Sequence, residues 1–473
     1  MALEKPQSNR RWRIRSGERQ AILFVGDLVS TLIAMVVGLY FWGQRDFLNF
    51  SWAFLDQRAP AWFYLLPFIW ILFLIEIYDV RKANRRPDVF RGVGTAAGIS
   101  FVVYLLIFFL SARNTLPRRG VFIFIVAATV LTLIWRLIYI QIFTAPVFTR
   151  RVLIIGAGLA GSTLAEMLQT LKPAPFTLVG YVDDDPAKQR QEIKGYQVLG
   201  PGPQLMDLVH SYNISDLIFA ISGELQPETF KAVLNAEEKG IEVSSLPMVY
   251  EELFRRVPIF LLQDDWILRS FIDQSHTTGL FESIKRLGDL VAGLIGTLGM
   301  IVLFPIIAIC ILLDSGRPII YSQWRVGKNG DPYKIYKFRT MVQDAEKDGV
   351  ARTATANDER ITRFGKVLRR SHLDELPQFL NILKGENSLV GPRAEQTELV
   401  NQFQKQIPFY RARLFVRPGL TGWAQINQRY ASTVQDTAVK LEYDLYYIKH
   451  RNLLLDLNII FRTVGAVIGL KGL

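Results

Sequence analysis

The chain has 473 residues, half of them hydrophobic, and a mean hydropathy of +0.19. That length holds about three domains, and the composition is too apolar for an ordinary soluble enzyme. A formal charge of +12 suits nucleic acid or an anionic membrane surface, and a single cysteine, Cys310, excludes an internal disulfide.

The first third decides between those two surfaces. Four apolar runs, Ala21–Trp42, Trp62–Tyr78, Val93–Leu110 and Val121–Phe143, are each near the length that spans a bilayer. The basic start (Arg10, Arg11, Arg13, Arg15, Arg19) resembles a signal peptide. The first run is too long for a signal core and lacks a small-residue cleavage site, so it reads as a retained anchor. Arg81, Lys82, Arg85, Arg86 and Arg91 follow the second run, which by the positive-inside rule puts the N-terminus and everything after the fourth run in the cytoplasm. Arg113, Arg118 and Arg119 run against that orientation. Asp27, Glu76 and Arg136 lie in or beside the runs, where a structural pairing is the expectation.

From Arg150 the composition is that of a soluble α/β domain. RVLIIGAGLAGSTLAEML reads as strand, glycine turn and helix. Gly156, Gly158 and Gly161 match the dinucleotide fingerprint, with Asp183 ending the next strand. A Rossmann-like fold is expected. A bound nucleotide stays open, because the same glycines serve the turn alone. RVPIFLLQDDWILRSF reads as an extended connector.

A fifth apolar stretch, Leu290–Leu313, is long enough to cross the membrane. Lys285 and Arg286 precede it, Arg317, Arg325 and Lys328 follow it, and Pro305 interrupts it. Basic flanks on both sides and an internal proline fit a re-entrant helix–break–helix, with a straight crossing as the alternative. Cys310 in this run reads as packing. Beyond it, YKIYKFRTM reads as a basic strand, Asp344–Arg360 as a charged segment poor in large apolar residues, and ITRFGKVLRR as a basic helix.

That helix leads into Arg369–Glu395, RRSHLDELPQFLNILKGENSLVGPRAE, where Asp374 and Glu375 stand side by side. Leu376, Phe379, Leu380 and Leu383 recur on one helical face. Pro377 belongs in a first turn, which puts Asp374 at or near the N-cap, and Gly385 is a C′ stop. Free N–H groups and the positive end of the dipole then face Asp374, and Arg369, Arg370 and Arg393 flank it: a place for a phosphate. An isolated Asp-Glu pair would read as a helix cap. RPGLTGWAQINQR forms a glycine-rich loop, and LEYDLYYIKHRNLLLDLNIIFRTVGAVI is amphipathic, suited to the membrane interface or to packing on the catalytic part.

KRLGD, QWRVG, KFRTM, NDERITRFG, SHLDELPQ, LVGPR, RPGLTGWAQIN and YDLYYIKH together resemble the bacterial polyprenyl-phosphate sugar-phosphate transferases, the large monotopic phosphoglycosyl transferases. The likeness covers Lys285 to about Ile468 closely and the whole chain loosely. Two departures are Ala394, where the family usually has proline, and His372, where many members have no imidazole. The resemblance implies a membrane α-helical bundle (1–149), a Rossmann-like α/β domain (150–273) and an α/β monotopic catalytic domain (274–473) with a re-entrant helix at about 286–313. It also implies a two-step exchange. Asp374 attacks the β-phosphorus of UDP-glucose or UDP-galactose and UMP leaves. Undecaprenyl phosphate then takes the hexose-phosphate, the first membrane step of exopolysaccharide, capsule or O-antigen synthesis. Glu375 would hold Mg²⁺, and Lys337, Arg339, Arg369 and Arg393 would bind substrate phosphate. UDP-sugar, undecaprenyl phosphate and membrane lipid are the implied partners, nucleic acid is not one, and a homodimer is left open. The place is the inner membrane of a bacterium, with the catalytic domain on the cytoplasmic face. The signature lies wholly after Gln274, so the Rossmann-like domain is expected to be dispensable for chemistry.

His372 reads as structural, since neither a UMP leaving group nor a phosphate nucleophile needs a proton transfer. His210, His276 and His450 form no zinc pattern. A membrane-anchored NAD-dependent dehydratase or epimerase would need a Tyr-x-x-x-Lys pair. Tyr333 and Lys337 have that spacing but follow no glycine fingerprint. A transporter or sensor would need glycine-interrupted paired spans, which the sequence lacks.

Overall fold

The computed structural model describes residues 16–468 except 79, 111–116, 144–149, 172–173, 175, 222, 224, 263–278, 343–357 and 429–432. The basic residues Arg10–Arg15 and Arg113, most of the expected charged segment 344–360, and the expected boundary at 273/274 lie outside the described residues, as does the side chain of Glu76. The chain divides into two compact units. One is Met1–Ile154, Ala165–Leu217 and Pro227–Glu242, and the other is Ile155–Leu164, Ile218–Gln226 and Val243–Leu473.

The first third contains α1 (Ser16–Gly43), α2 (Trp52–Gln57), α3 (Leu66–Phe73), α4 (Val80–Ala83), α5 (Arg86–Leu110) and α6 (Arg118–Phe143). Three of these, α1, α5 and α6, are long and apolar enough to cross a membrane. The second apolar run is not one long helix: a 3₁₀ turn (Ala61–Leu65), α3 and a second 3₁₀ turn (Ile75–Tyr78) succeed one another, with Pro60 before the first and Pro67 opening α3. Pro67 has no N–H to donate to the preceding turn, which accounts for the break before α3. Asp27 and Arg136 form a fully buried pair, Nη2 to Oδ2 2.6 Å and Nε to Oδ1 3.2 Å. Arg136 Nη1 also donates to Ile77 O at 2.8 Å, the kind of pairing the sequence leads one to expect.

A six-stranded mixed sheet follows, in the order β3-β4-β2-β1-β5-β6. Its strands are β1 (Arg151–Ile155), β2 (Thr177–Val182), β3 (Glu192–Ile193), β4 (Tyr196–Gly200), β5 (Asp216–Phe219) and β6 (Glu242–Ser245). The connecting helices are α7 (Leu159–Thr170), α8 (Leu205–Ser211) and α9 (Pro227–Glu238). Gly156 has φ +104°, and a Cβ there would lie 2.9 Å from Ala220 O, so the turn itself demands this glycine.

α10 (Leu246–Phe254) follows β6 directly and packs with the C-terminal half. Trp423 Nε1 donates to Arg255 O at 2.9 Å, and Val257 and Ile259 are fully buried in the core formed by Val390, Trp423, Leu441, Leu445, Tyr447 and Ile459. Residues 263–271 of the expected connector lie outside the described residues, and Val257 and Ile259, at its start, are core of the C-terminal half. A catalytic part starting at 274 would lack them.

The remaining elements are α11 (Gly279–Ser315), the antiparallel hairpin β7 (Ile320–Val326) and β8 (Pro332–Phe338), α12 (Arg363–Ser371), α13 (Gln378–Lys384), β9 (Ser388–Val390), α14 (Thr397–Phe403), β10 (Gly419–Thr421), α15 (Trp423–Asn427), α16 (Val434–His450) and α17 (Leu453–Ile468). β9 pairs parallel with β10. α11 runs as one helix through Pro305, so the proline does not interrupt it as expected. It binds the catalytic half along its length. Lys285 Nζ reaches Asp456 (2.6 Å) and Val390 O (3.0 Å), and Asp289 Oδ1 accepts from Leu389 N at 2.8 Å. Arg286 donates to Ile382 O (2.7 Å) and Leu383 O (2.8 Å) at the end of α13. Gly296 lies against the Phe379 ring where no Cβ could fit. At the far end Asp314 accepts from Phe364 N at 2.9 Å. The opposite face (Leu287, Leu294, Ile295, Ile301, Val302, Ile306, Leu313) is exposed and apolar. α17 divides likewise: Ile459 is buried, while Leu453, Leu454, Leu457 and Val464 are exposed.

Candidate active site

α12 ends at His372, which takes the left-handed conformation (φ 56°) and donates its N–H to Arg369 O at 3.2 Å. His372 is exposed and turns the chain. A single 3₁₀ turn, Leu373–Glu375, follows, and α13 begins after Pro377 as its N-cap. Asp374 therefore sits near the N-cap and not at it, inside the short turn that precedes α13. Gly385 (φ +84°) closes α13 as its cap. The reason is local: Pro377 fits φ −61° and has no N–H to lose, and only glycine enters the left-handed region without strain.

Asp374 is 7% exposed. Lys337 Nζ, from β8, and Arg393 Nη2, from the loop after β9, both reach Glu375 Oε1, at 2.6 and 2.7 Å. Arg369 Nε donates to Thr340 Oγ1 at 2.9 Å and lies within the field of Asp374 and Asp358. Asp358, clasped by Arg360 Nε (2.8 Å) and Nη2 (2.6 Å), is held down to about 2, mainly by that hydrogen-bonded guanidinium. Burial pushes Asp374 above the usual aspartate value and Glu375 adds to the push, against Lys337, Arg369 and Arg393. Burial acts on Glu375 in the same sense, but Arg393 and Lys337 overcome it and hold that carboxyl well below its ordinary range. Adjacent carboxylates are thus split into one firmly ionised and one reluctant. The helix terminus alone does not keep Asp374 charged; its three cationic neighbours oppose its burial.

Of the expected site residues, Lys337, Arg369, Arg393, Asp374 and Glu375 come together. Arg370 is exposed on α12. Arg339 caps α11 instead, donating to Ser315 O (2.6 Å), Arg317 O (2.5 Å) and Gly316 O. Gly156 and Gly158 form the turn after β1, Gly161 is buried in α7, and Asp183 accepts from Lys188 Nζ at 3.1 Å beyond β2. Tyr333 and Lys337 are no dehydratase pair: the tyrosine donates to Asn387 Oδ1 at 2.6 Å and the lysine to Glu375.

For a divalent cation the donor set is small. Among the described residues no group of three or more His, Cys, Asp or Glu side chains is placed to hold one. Asp374 and Glu375 supply two carboxylates, the number Mg²⁺ takes when phosphate oxygens and water complete its shell. They fit the ion only together with a diphosphate.

Sequence reasoning missed the charges behind Arg393. Glu395 is contacted by Lys440, by Arg413 (3.6 Å) and by Arg325 (3.9 Å), and Asp444 pairs with Arg413 at 2.8 Å. The only signal was a carboxylate two residues after Arg393.

Two family profiles match the chain: "Bacterial sugar transferase" over residues 280–469 and "CoA-binding domain" over 74–247. A UDP-N-acetylgalactosamine-undecaprenyl-phosphate N-acetylgalactosaminephosphotransferase of Aeromonas hydrophila is 41% identical over 228 residues, 48% of this chain and 52% of that protein. A UDP-glucose:undecaprenyl-phosphate glucose-1-phosphate transferase of Xanthomonas campestris pv. campestris is 30% identical over 342 residues, 69% of this chain and 68% of that one. The protein of the same description from Escherichia coli (strain K12) is 40% identical over 192 residues, 40% of each chain. The chain thus spans about half the length of the Aeromonas relative and less of the Escherichia one.

Proposed function

The chain belongs to the bacterial sugar transferase family, and on that premise we propose that it moves a hexose-1-phosphate from a UDP-sugar to undecaprenyl phosphate, releasing UMP. The observation that carries this reading is the Asp374–Glu375 pair: a buried carboxylate beside one whose charge is fixed by Lys337 and Arg393. In the first step an Asp374 Oδ forms a bond to the β-phosphorus while the bond to the bridging oxygen breaks, and UMP keeps the electron pair. In the second, an oxygen of the lipid phosphate bonds to that phosphorus and the Asp374 bond breaks. No proton changes hands. Lys337, Arg369 and Arg393 draw the diphosphate in and shield one anion from the other, as in-line phosphoryl transfer requires. Asp374 and Glu375 are the residues that would hold Mg²⁺, which neutralises developing phosphate charge when bound. Arg339, occupied with α11, is left out of the phosphate set.

The reading places the pair at the cytoplasmic face of a bacterial inner membrane, where nucleotide sugars are found, with α11 entering and leaving the bilayer on that side. The test is incubation with a UDP-sugar alone followed by intact-mass measurement. Wild type should gain a hexose-phosphate and release UMP, and Asp374→Asn should do neither. Full turnover by the Asn variant would end the assignment. UDP-glucose and UDP-galactose are the expected donors, and UDP-N-acetylgalactosamine joins the panel because of the Aeromonas likeness.

A further inference from the structure

The loop that carries Arg393 has no regular structure, yet each of four consecutive carbonyls has its own donor. Pro392 O accepts from Gly419 N at 2.9 Å and Glu395 O from Val326 N at 3.0 Å, both backbone groups. Arg393 O accepts from Arg413 Nη2 at 2.9 Å and Ala394 O from Arg325 Nη1 at 3.3 Å, both guanidinium groups. Arg413 is 4% exposed. Its remaining bonds run to Tyr410 Oη (2.9 Å) and Asp444 Oδ2 (2.8 Å). The Glu395 carboxylate faces Lys440, Arg413 and Arg325 together, so the loop supplies charge that lets Arg413 lie buried and Arg325 partly buried. A buried guanidinium is costly unless paired and hydrogen-bonded, and Arg413 meets both conditions.

We propose that Arg413 is a positioning residue for the transfer reaction: it never meets substrate, but holds the Arg393 backbone so that the Arg393 fork meets Glu375 and the donor's diphosphate. This rests on the function proposed above. The guanidinium fork is needed because it binds a backbone carbonyl and a carboxylate at once, at fixed angles, which a lysine cannot do. Displacing a phosphate-binding group by an ångström costs on the order of 100-fold in rate.

The experiment is a double-mutant cycle on the full chain in nanodiscs, with Arg413→Gln, Arg393→Gln and the double variant. Two readouts are taken: UMP release from UDP-sugar and affinity for UDP itself. If Arg413 acts through Arg393, Arg413→Gln loses about 100-fold in kcat/KM. The double variant is then no worse than Arg393→Gln alone, and UDP affinity shows the same non-additivity. Losses that multiply in the double variant, or a folded Arg413→Gln enzyme with wild-type kinetics, overturn the proposal. Should thermal unfolding show that Arg413→Gln does not fold, Asp444→Asn, which loosens Arg413 without removing it, carries the same cycle. Absence of UMP release by the wild type would sink the functional reading instead, and the UDP cycle would still decide the role of Arg413.

Discussion

Glu442 on α16 ties α10 to the catalytic half and should make its stability fall as pH rises. Its carboxylate accepts from Tyr250 Oη at 3.2 Å and lies 3.3 Å from Arg256 Nε. The side chain is 6% exposed. Burial pushes its pKa from 4.5 up to about 7, against the pull of Arg256 and the Tyr250 hydroxyl. Below the lower value the carboxyl is protonated in both folded and unfolded chains, and it costs nothing. Between the two values the unfolded chain has lost its proton and the folded chain keeps it, so stability drops as pH rises. Above about 7 the full penalty stands: two to three units at 1.36 kcal/mol each, roughly 3 kcal/mol. Glu442→Gln is neutral at every pH and removes this slope, while every other titrating group is common to both proteins and cancels. Relative to wild type, the variant should gain roughly 3 kcal/mol between pH 5 and pH 8, about 6–12 °C in Tm for a unit of this size. Thermal unfolding in nanodiscs across that range measures it. Parallel pH curves for the two proteins would refute a buried, reluctant Glu442.

Since burial raises Asp374, the acid limb of kcat/KM should lie above the range of an ordinary aspartate, and turnover should fall as pH drops through it; a pH–rate profile on a slow and a fast UDP-sugar separates this limb from binding. Glu375→Gln should raise the Mg²⁺ concentration for half-maximal rate about tenfold, and an unchanged titration would confine Glu375 to holding Lys337 and Arg393. A chain beginning at Gln274 should be unstable, because it lacks two buried apolar side chains, Val257 and Ile259, worth about 3–6 kcal/mol together; one beginning at Val243 keeps them, and equal unfolding temperatures for the two would show those contacts to be idle.

The dyad was legible because chemistry and local folding share one short segment: Pro377 and Gly385 bound a helix, and Asp374 lies in the turn just before it. The fork of Arg393 and the reach of Lys337 to Glu375 were legible as charge types but not as partners, since β8 and the loop after β9 meet only in three dimensions. Arg339 went astray for the same reason. A basic strand beside an acidic pair suggests phosphate binding, whereas the carbonyls at the end of α11, orphaned as at any helix terminus, claimed it first. The packing of Val257 and Ile259 was not legible because apolar residues in an irregular segment carry no period: they look like a connector until Tyr447 and Val390 cover them.

The re-entrant route proposed for α11 draws its support from what holds the helix. Its 37 residues make about 55 Å of helix, far more than the roughly 30 Å of a hydrocarbon core. A straight crossing would carry Lys285 and Asp314 into different compartments. Yet Lys285 is bound to Asp456 and Asp314 to Phe364 N, with Gly296 against Phe379 between them, all on one half of the chain. A body that grips both ends and the middle cannot lie on one side of a membrane its helix traverses. On the proposed re-entrant reading the exposed apolar face is met by lipid from a single leaflet, with Pro305, which leaves the preceding turn short of one donor, as the point at which the helix bends. In a Cys310→Ser background, Leu280→Cys and Arg317→Cys should both react with a membrane-impermeant maleimide from the same face of sealed vesicles. Labelling from opposite faces would mean that α11 crosses, and that the contacts at one end are broken in the membrane.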